Sequence, residues 1–288
     1  MFIGTRRDEI KILLHRLSQN SRDNFARVEL RLMFTEPTCN IVMRMVAGKR
    51  YYGEDVDFEE AKHFHEVMRG VFELAGVSNP GEFFPLLRWI KTKKEVIFQG
   101  LIDEHRSSNR GLVNKNSMIN HLLSMQKSEP EYYTDEIIKA HSLILILVGT
   151  ETAATTIEWA MSLLLNHPEV MKKARVVELD THVGKERLME ESNFPKLQYL
   201  QSTISETLRL FPAAPVLVPH MSSDNCQIGG NIQRDTILLV NAWAIHRDPK
   251  LWKDATSFKP ERFENRESET YKLAIWIEKK GLPWYWPS

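Results

Sequence analysis

Apolar residues recur at intervals of three and four along most of the 288-residue chain, the spacing that lines one face of a helix. Residues 8–18 place Ile12, Leu13 and Leu17 together. From about 24 to 47, Val28, Leu32, Ile41 and Met45 predict a second helix. Residues 57–75, 85–105 and 115–126 predict three more, with turn-forming SNPGE (78–82) and SSNRG (107–111) between them. A long helix is predicted from Thr134, an N-cap followed by Asp135 and Glu136 where the helix dipole favours acids. It runs to Asn166, before Pro168, and at ~1.5 Å per residue it reaches roughly 50 Å. Its segment LILILV, 143–148, is apolar on every side and predicts burial all round. Leu197, Leu200, Ile204, Leu208 and Phe211 predict a further helix ending before Pro212. The pattern then changes: 216–220, 225–230 and 235–242 read as short strands around turns. The fold class is mainly α with a small β part.

Composition narrows the function. Hydrophobic residues make up 42% and charged residues 26%, the balance of a globular body. Lys+Arg and Asp+Glu are both 38, so there is no basic excess to favour nucleic acid or an anionic membrane as partner. Cys39 and Cys226 are the only cysteines, too few for a disulfide framework and too isolated for a zinc site. Residues 1–10 lack the apolar core of a signal peptide, and the run 143–148 is too short to span a bilayer, so no membrane span is expected.

Three short motifs stand out. In Leu147–Thr156, LVGTETAATT, a glycine and the polar Thr150, Glu151 and Thr152 interrupt the apolar long helix. Buried polar groups need partners, and threonine hydroxyls bond back to the preceding turn. By itself the motif fits a functional distortion no better than a satisfied buried network or a packing notch between helices. Glu206 and Arg209, three apart, share a helix face off the apolar stripe and read alone as a surface ion pair. Lys259–Phe263, KPERF, is a charged turn in which Arg262 matters only if it meets Glu206 and Arg209.

Together and in this order, GTET, ETLR and PERF resemble the cytochrome P450 monooxygenases. PAAPVLVPH and NAWAIHRDPKLWKDATSFKPERF look like plant members. MRMVAGKRYYGED (43–55) and QGLIDEHR (99–106) look like the plant branch acting on flavonoids, isoflavonoids and indolic compounds. The resemblance covers roughly Phe2 to Leu273. It implies a haem under the long helix, with Glu151 and Thr152 as the acid–alcohol pair that delivers protons. Gly149 and Ala153 would lie against the cofactor and His220 would donate to a haem propionate. Glu206, Arg209 and Arg262 would form a structural network. The implied substrate is a small phenolic or indolic molecule. The implied redox partner is an NADPH–cytochrome reductase. The intact family sits at the endoplasmic reticulum membrane, whereas this chain without an anchor is expected in the cytoplasm.

The chain departs from the family after PERF. The family's Phe-Gly-x-x-x-Arg-x-Cys-x-Gly loop, whose thiolate holds the iron, is missing, and neither Cys39 nor Cys226 has that motif around it. IGGNIQRDT (228–236) lacks an aromatic and a proline usual there. Trp276, Trp284 and Trp286 crowd the last thirteen residues. Back-translated and moved forward one base, each Trp and its successor gives a glycine codon, and the segment permits Leu-Pro-Phe-Gly-Leu-Arg-Arg-Arg-Ala-Cys-Pro-Gly-Thr-Gly-Leu. The expectation is therefore a partial cytochrome P450 domain over 1–273 and a frame-shifted, non-native tail over 274–288. The family's anchor, early strands and Trp–Arg haem contact are likewise expected to be missing from the start. Without the axial cysteine the metal set is empty, and the alternative to a monooxygenase is a catalytically dead fragment, at most a helical binding body.

Overall fold

The structure, a computed structural model, describes residues 2–20, 27–53, 56–73, 93–107, 117–184, 187–227 and 230–264. The turn at 78–82, the first half of 85–105 and the tail 274–288 lie outside the described residues. The chain divides into two compact units, Met1–Ala154 and Thr155–Ser288.

The first unit is helical: α1 (Ile3–Asn20), α2 (Leu30–Val46), α3 (Phe58–Glu73), α4 (Lys93–Ser107), α5 (Met118–Ser128) and most of α6 (Asp135–Asn166). Ser117 and Thr134 accept the Asn120 and Ile137 N–H groups and so cap α5 and α6. The core gathers Cys39, Met43, Phe64, Ile102, Ile119 and Ile146. A short connection after α2 ties it together. Gly48, at φ 71°, takes the left-handed turn that ends α2. Lys49 then reaches Glu60 at 2.9 Å and Glu104 at 2.6 Å, while Arg50 reaches the buried Glu9 at 3.0 Å. Glu9 also accepts from Arg44 at 2.9 Å and from Asn40 at 3.2 Å. Asn40 Oδ1 takes the N–H groups of both Tyr51 and Tyr52, each at 3.0 Å.

The second unit holds the end of α6, then α7 (Pro168–Lys172), a π turn (Lys173–Leu179), α8 (Asp180–His182) and a 3₁₀ turn (Glu191–Lys196). It continues with α9 (Gln198–Leu210), α10 (Ala242–Ile245) and a 3₁₀ turn at Pro260–Phe263. Two antiparallel ribbons lie between α9 and α10. β1 (His220–Met221) pairs with β4 (Ile237–Leu238), and β2 (Cys226–Gln227) pairs with β3 (Asn231–Ile232). The core gathers Val170, Ala174, Tyr199, Leu210 and Phe258.

Three expectations about buried faces are corrected. In α2 the buried face is Phe34, Cys39, Met43 and Val46, while Leu32 is exposed and Val28 precedes the helix. The helix starts at Leu30 rather than 24, and its buried face carries Asn40, which donates to Glu9. In α6 burial follows a single stripe, Ile138, Ser142, Ile146, Thr150 and Ala154. Ile144 and Val148 are 60% and 58% exposed, so the run is not buried all round. By length and composition α6 also suffices to cross a membrane, although its uninterrupted apolar run is short. In α9 the face buried most completely is polar: Thr203, Glu206, Thr207 and Arg209 are enclosed, while Leu200, Ile204 and Leu208 are only half-buried. Satisfied hydrogen bonds make that burial tolerable. The Ser202, Thr203 and Thr207 hydroxyls bond the carbonyls four residues back.

Candidate functional site

The middle of α6 packs closely against α2. A Cβ added to Gly149 would stand 3.3 Å from Val42 Cγ2, so the glycine is a notch that admits α2. Thr150, one position on, is buried beside the Cys39 thiol, and burial pushes that thiol up to about 12. Glu151 and Thr152 turn away from the buried stripe. Glu151 is not enclosed as expected: its side chain is 34% exposed, with Oε2 4.0 Å from Arg31 Nη2. The reason is angular, since each residue rotates ~100° around the axis and only 150 and 154 continue the four-residue stripe. The Thr152 hydroxyl donates to the Val148 carbonyl one turn back, and Ala153 is half-buried. α6 nevertheless stays regular α-helix through this segment.

In the second unit His220 opens β1 opposite Leu238 and is half-buried. Glu206, Arg209 and Arg262 come together. Arg209 forks onto the Glu206 carboxylate, Nε at 2.7 Å and Nη2 at 2.8 Å, with both residues fully enclosed. Its Nη1 donates to the carbonyls of His246 and Ala255, each at 2.7 Å, and Nη2 to that of Ser257 at 3.2 Å. Glu206 Oε1 accepts further bonds from the Lys259 N–H at 3.0 Å and Arg262 Nε at 3.3 Å. Arg262 Nη2 closes the loop onto the Asp254 carbonyl at 2.7 Å. The surface ion pair read from spacing is thus fully enclosed. Burial, and then the Arg209 charge, lower the neighbouring His246 to about 4.

Two buried acids escaped the sequence reading. Glu9 lies in α1 beside apolar residues that are less buried than it is, and only the tertiary partners Arg44 and Arg50 reveal it. Glu178 accepts from the Tyr199 and Leu200 N–H groups, 21 and 22 residues away, which no local pattern announces.

A haem held by a thiolate needs a cysteine that can deprotonate and that stands inside a pocket enclosing the cofactor. Cys39 is enclosed in the first core with its thiol held protonated, and Cys226 sits exposed on the β2 ribbon. Neither fits as the axial ligand, and these 288 residues contain no other cysteine.

The cytochrome P450 family profile matches residues 2–276. Cytochrome P450 81E8 of Medicago truncatula is 53% identical over 98% of this chain. The (+)-piperitol/(+)-sesamin synthase CYP81Q2 of Sesamum radiatum is 51% identical over 94%. The isoflavone 2'-hydroxylase of Glycyrrhiza echinata is 48% identical over 98%. The chain spans 59%, 56% and 59% of the lengths of these relatives, respectively. A solved zebra fish cytochrome P450 with abiraterone shares the fold at TM-score 0.73 and 23% identity, covering 91% of this chain and 61% of that one. This chain belongs to the plant cytochrome P450s, in the flavonoid and isoflavonoid hydroxylase branch.

Proposed function

We propose that the chain supplies the oxygen-side helix and the core network of a haem-dependent monooxygenase that hydroxylates a plant small molecule, either phenolic (isoflavonoid) or indolic. Identity of about half, over nearly the whole chain, to a relative named as an isoflavone hydroxylase carries this reading. Glu151 and Thr152 are read as the acid–alcohol pair: the part-exposed carboxylate exchanges protons with water, and the hydroxyl is held one position away on α6. Gly149, Ala153 and His220 are read as cofactor contacts, and Glu206, Arg209 and Arg262 as the network that fixes α9. Electrons would come from NADPH through a cytochrome reductase, at the endoplasmic reticulum membrane for the intact protein.

The failure of Cys39 and Cys226 to fit as ligands supports a second reading of the 288 residues alone: no thiolate-held haem and no turnover. In that reading 274–288 is a frame-shifted segment rather than a native element. Sequencing the transcript across codons 265–288 separates the two. If the shifted frame supplies the Cys-Pro-Gly loop, the protein translated from it should hydroxylate an isoflavone when given NADPH and a plant cytochrome reductase. Failure on isoflavone, flavone and indole substrates alike, despite a normal carbon-monoxide spectrum, would refute the substrate class. A transcript and genome that both keep the present frame support the second reading.

A further inference from the structure

The π turn at Lys173–Leu179 interrupts the helical run from Pro168 to His182, and single π turns mostly mark positions with a task. Val170, Ala174 and Glu178 are buried at intervals of four. In an unbroken α-helix Glu178 would be swung about 80° from Val170, since eight residues at ~100° overshoot two turns. The wider turn absorbs that excess and keeps all three on one face. Arg175, Val176 and Val177 are turned to solvent, the two valines 49% and 63% exposed.

That face meets the start of α9. Leu197, the residue before α9, has no side-chain oxygen and makes no cap. Glu178 takes its place: Oε1 accepts the Tyr199 N–H at 2.6 Å and Oε2 the Leu200 N–H at 2.9 Å. These are the donors an N-cap side chain ordinarily satisfies, and the carboxylate faces the positive end of the helix. At its other end α9 is fixed by Arg209 on the carbonyls of His246, Ala255 and Ser257.

We propose that the π turn absorbs one residue of excess length to hold Glu178 in register as the cap of α9. Glu178 thereby fixes the N-terminal end of α9. The inference is independent of haem and of substrate. Hydrogen exchange on the 288-residue chain tests it. In Glu178→Ala the Tyr199 and Leu200 amides should exchange on the order of tenfold faster, the scale of a lost cap, while those of Glu206–Arg209 stay protected. Glu178→Gln, with one carbonyl oxygen left, should keep one of the two amides protected. Deleting Val177 should leave both protected, because seven residues at ~100° return within about 20° of the same face. Inserting an alanine after Val177 should expose both. Unchanged exchange in Glu178→Ala, or loss of protection in the deletion, would overturn the proposal. If Glu178→Ala fails to fold, the length variants decide, since the proposal requires deletion and insertion to differ.

Discussion

Cys39 and Cys226 are chemically opposite, one enclosed and one exposed. Raised to about 12, the Cys39 thiol stays protonated throughout the neutral range, and only thiolates react readily. Alkylation of the folded chain near pH 7 should therefore modify Cys226 alone, as read by peptide mass. Modification of Cys39 at a similar rate would contradict its burial. Glu206 carries a different load, because it answers Arg209, Arg262 and the Lys259 N–H together. Breaking one member of a buried pair typically costs about 3–5 kcal/mol, so Glu206→Gln should lower unfolding free energy by that order in denaturant titration. Arg262→Ala, at a partly exposed site, should cost less. The i,i+3 spacing of Glu206 and Arg209 was legible in the sequence. Their burial was not, because spacing is the same for a surface pair, and the carbonyls that accept from Arg209 lie 37 to 48 residues away.

At the scale of elements, α6 was legible from end to end: Thr134 caps it, and Pro168 follows its last residue by two. Which of its faces is covered was not, because an apolar run reports side-chain chemistry and not neighbours. The same limit explains α2, where a correct helix was assigned the wrong stripe, and α9, whose polar face is the more buried. Gly149 shows two effects in competition. Replacing a mid-helix glycine by alanine ordinarily gains about 1 kcal/mol of propensity, but overpacking costs about 1–3 kcal/mol. Val42 is β-branched and stiff within α2, so it yields little to a Cβ 3.3 Å away. Gly149→Ala should therefore destabilise the chain by ~1 kcal/mol, and adding Val42→Ala should recover part of the loss. Strict additivity in that double-mutant cycle would mean that the two helices do not meet there.

At the scale of the molecule, family membership is plain in a chain that spans about 59% of its relatives' length. The chain carries a long helix, a buried Glu–Arg–Arg network and two short ribbons, and its sequence is about half identical to plant cytochrome P450 relatives over nearly all its length. Three motifs at long spacing made that legible before any coordinates, since motif order survives where burial cannot be read. Cys39 by its burial, and Cys226 by its exposure on a ribbon, do not fit as the thiolate that gives the family its chemistry. The carbon-monoxide difference spectrum of the purified 288-residue chain, supplied with haem and reduced, tests this most directly. No band of a thiolate-ligated haem is expected. A full thiolate band, abolished by Cys39→Ser or Cys226→Ser, would contradict it and assign the ligand.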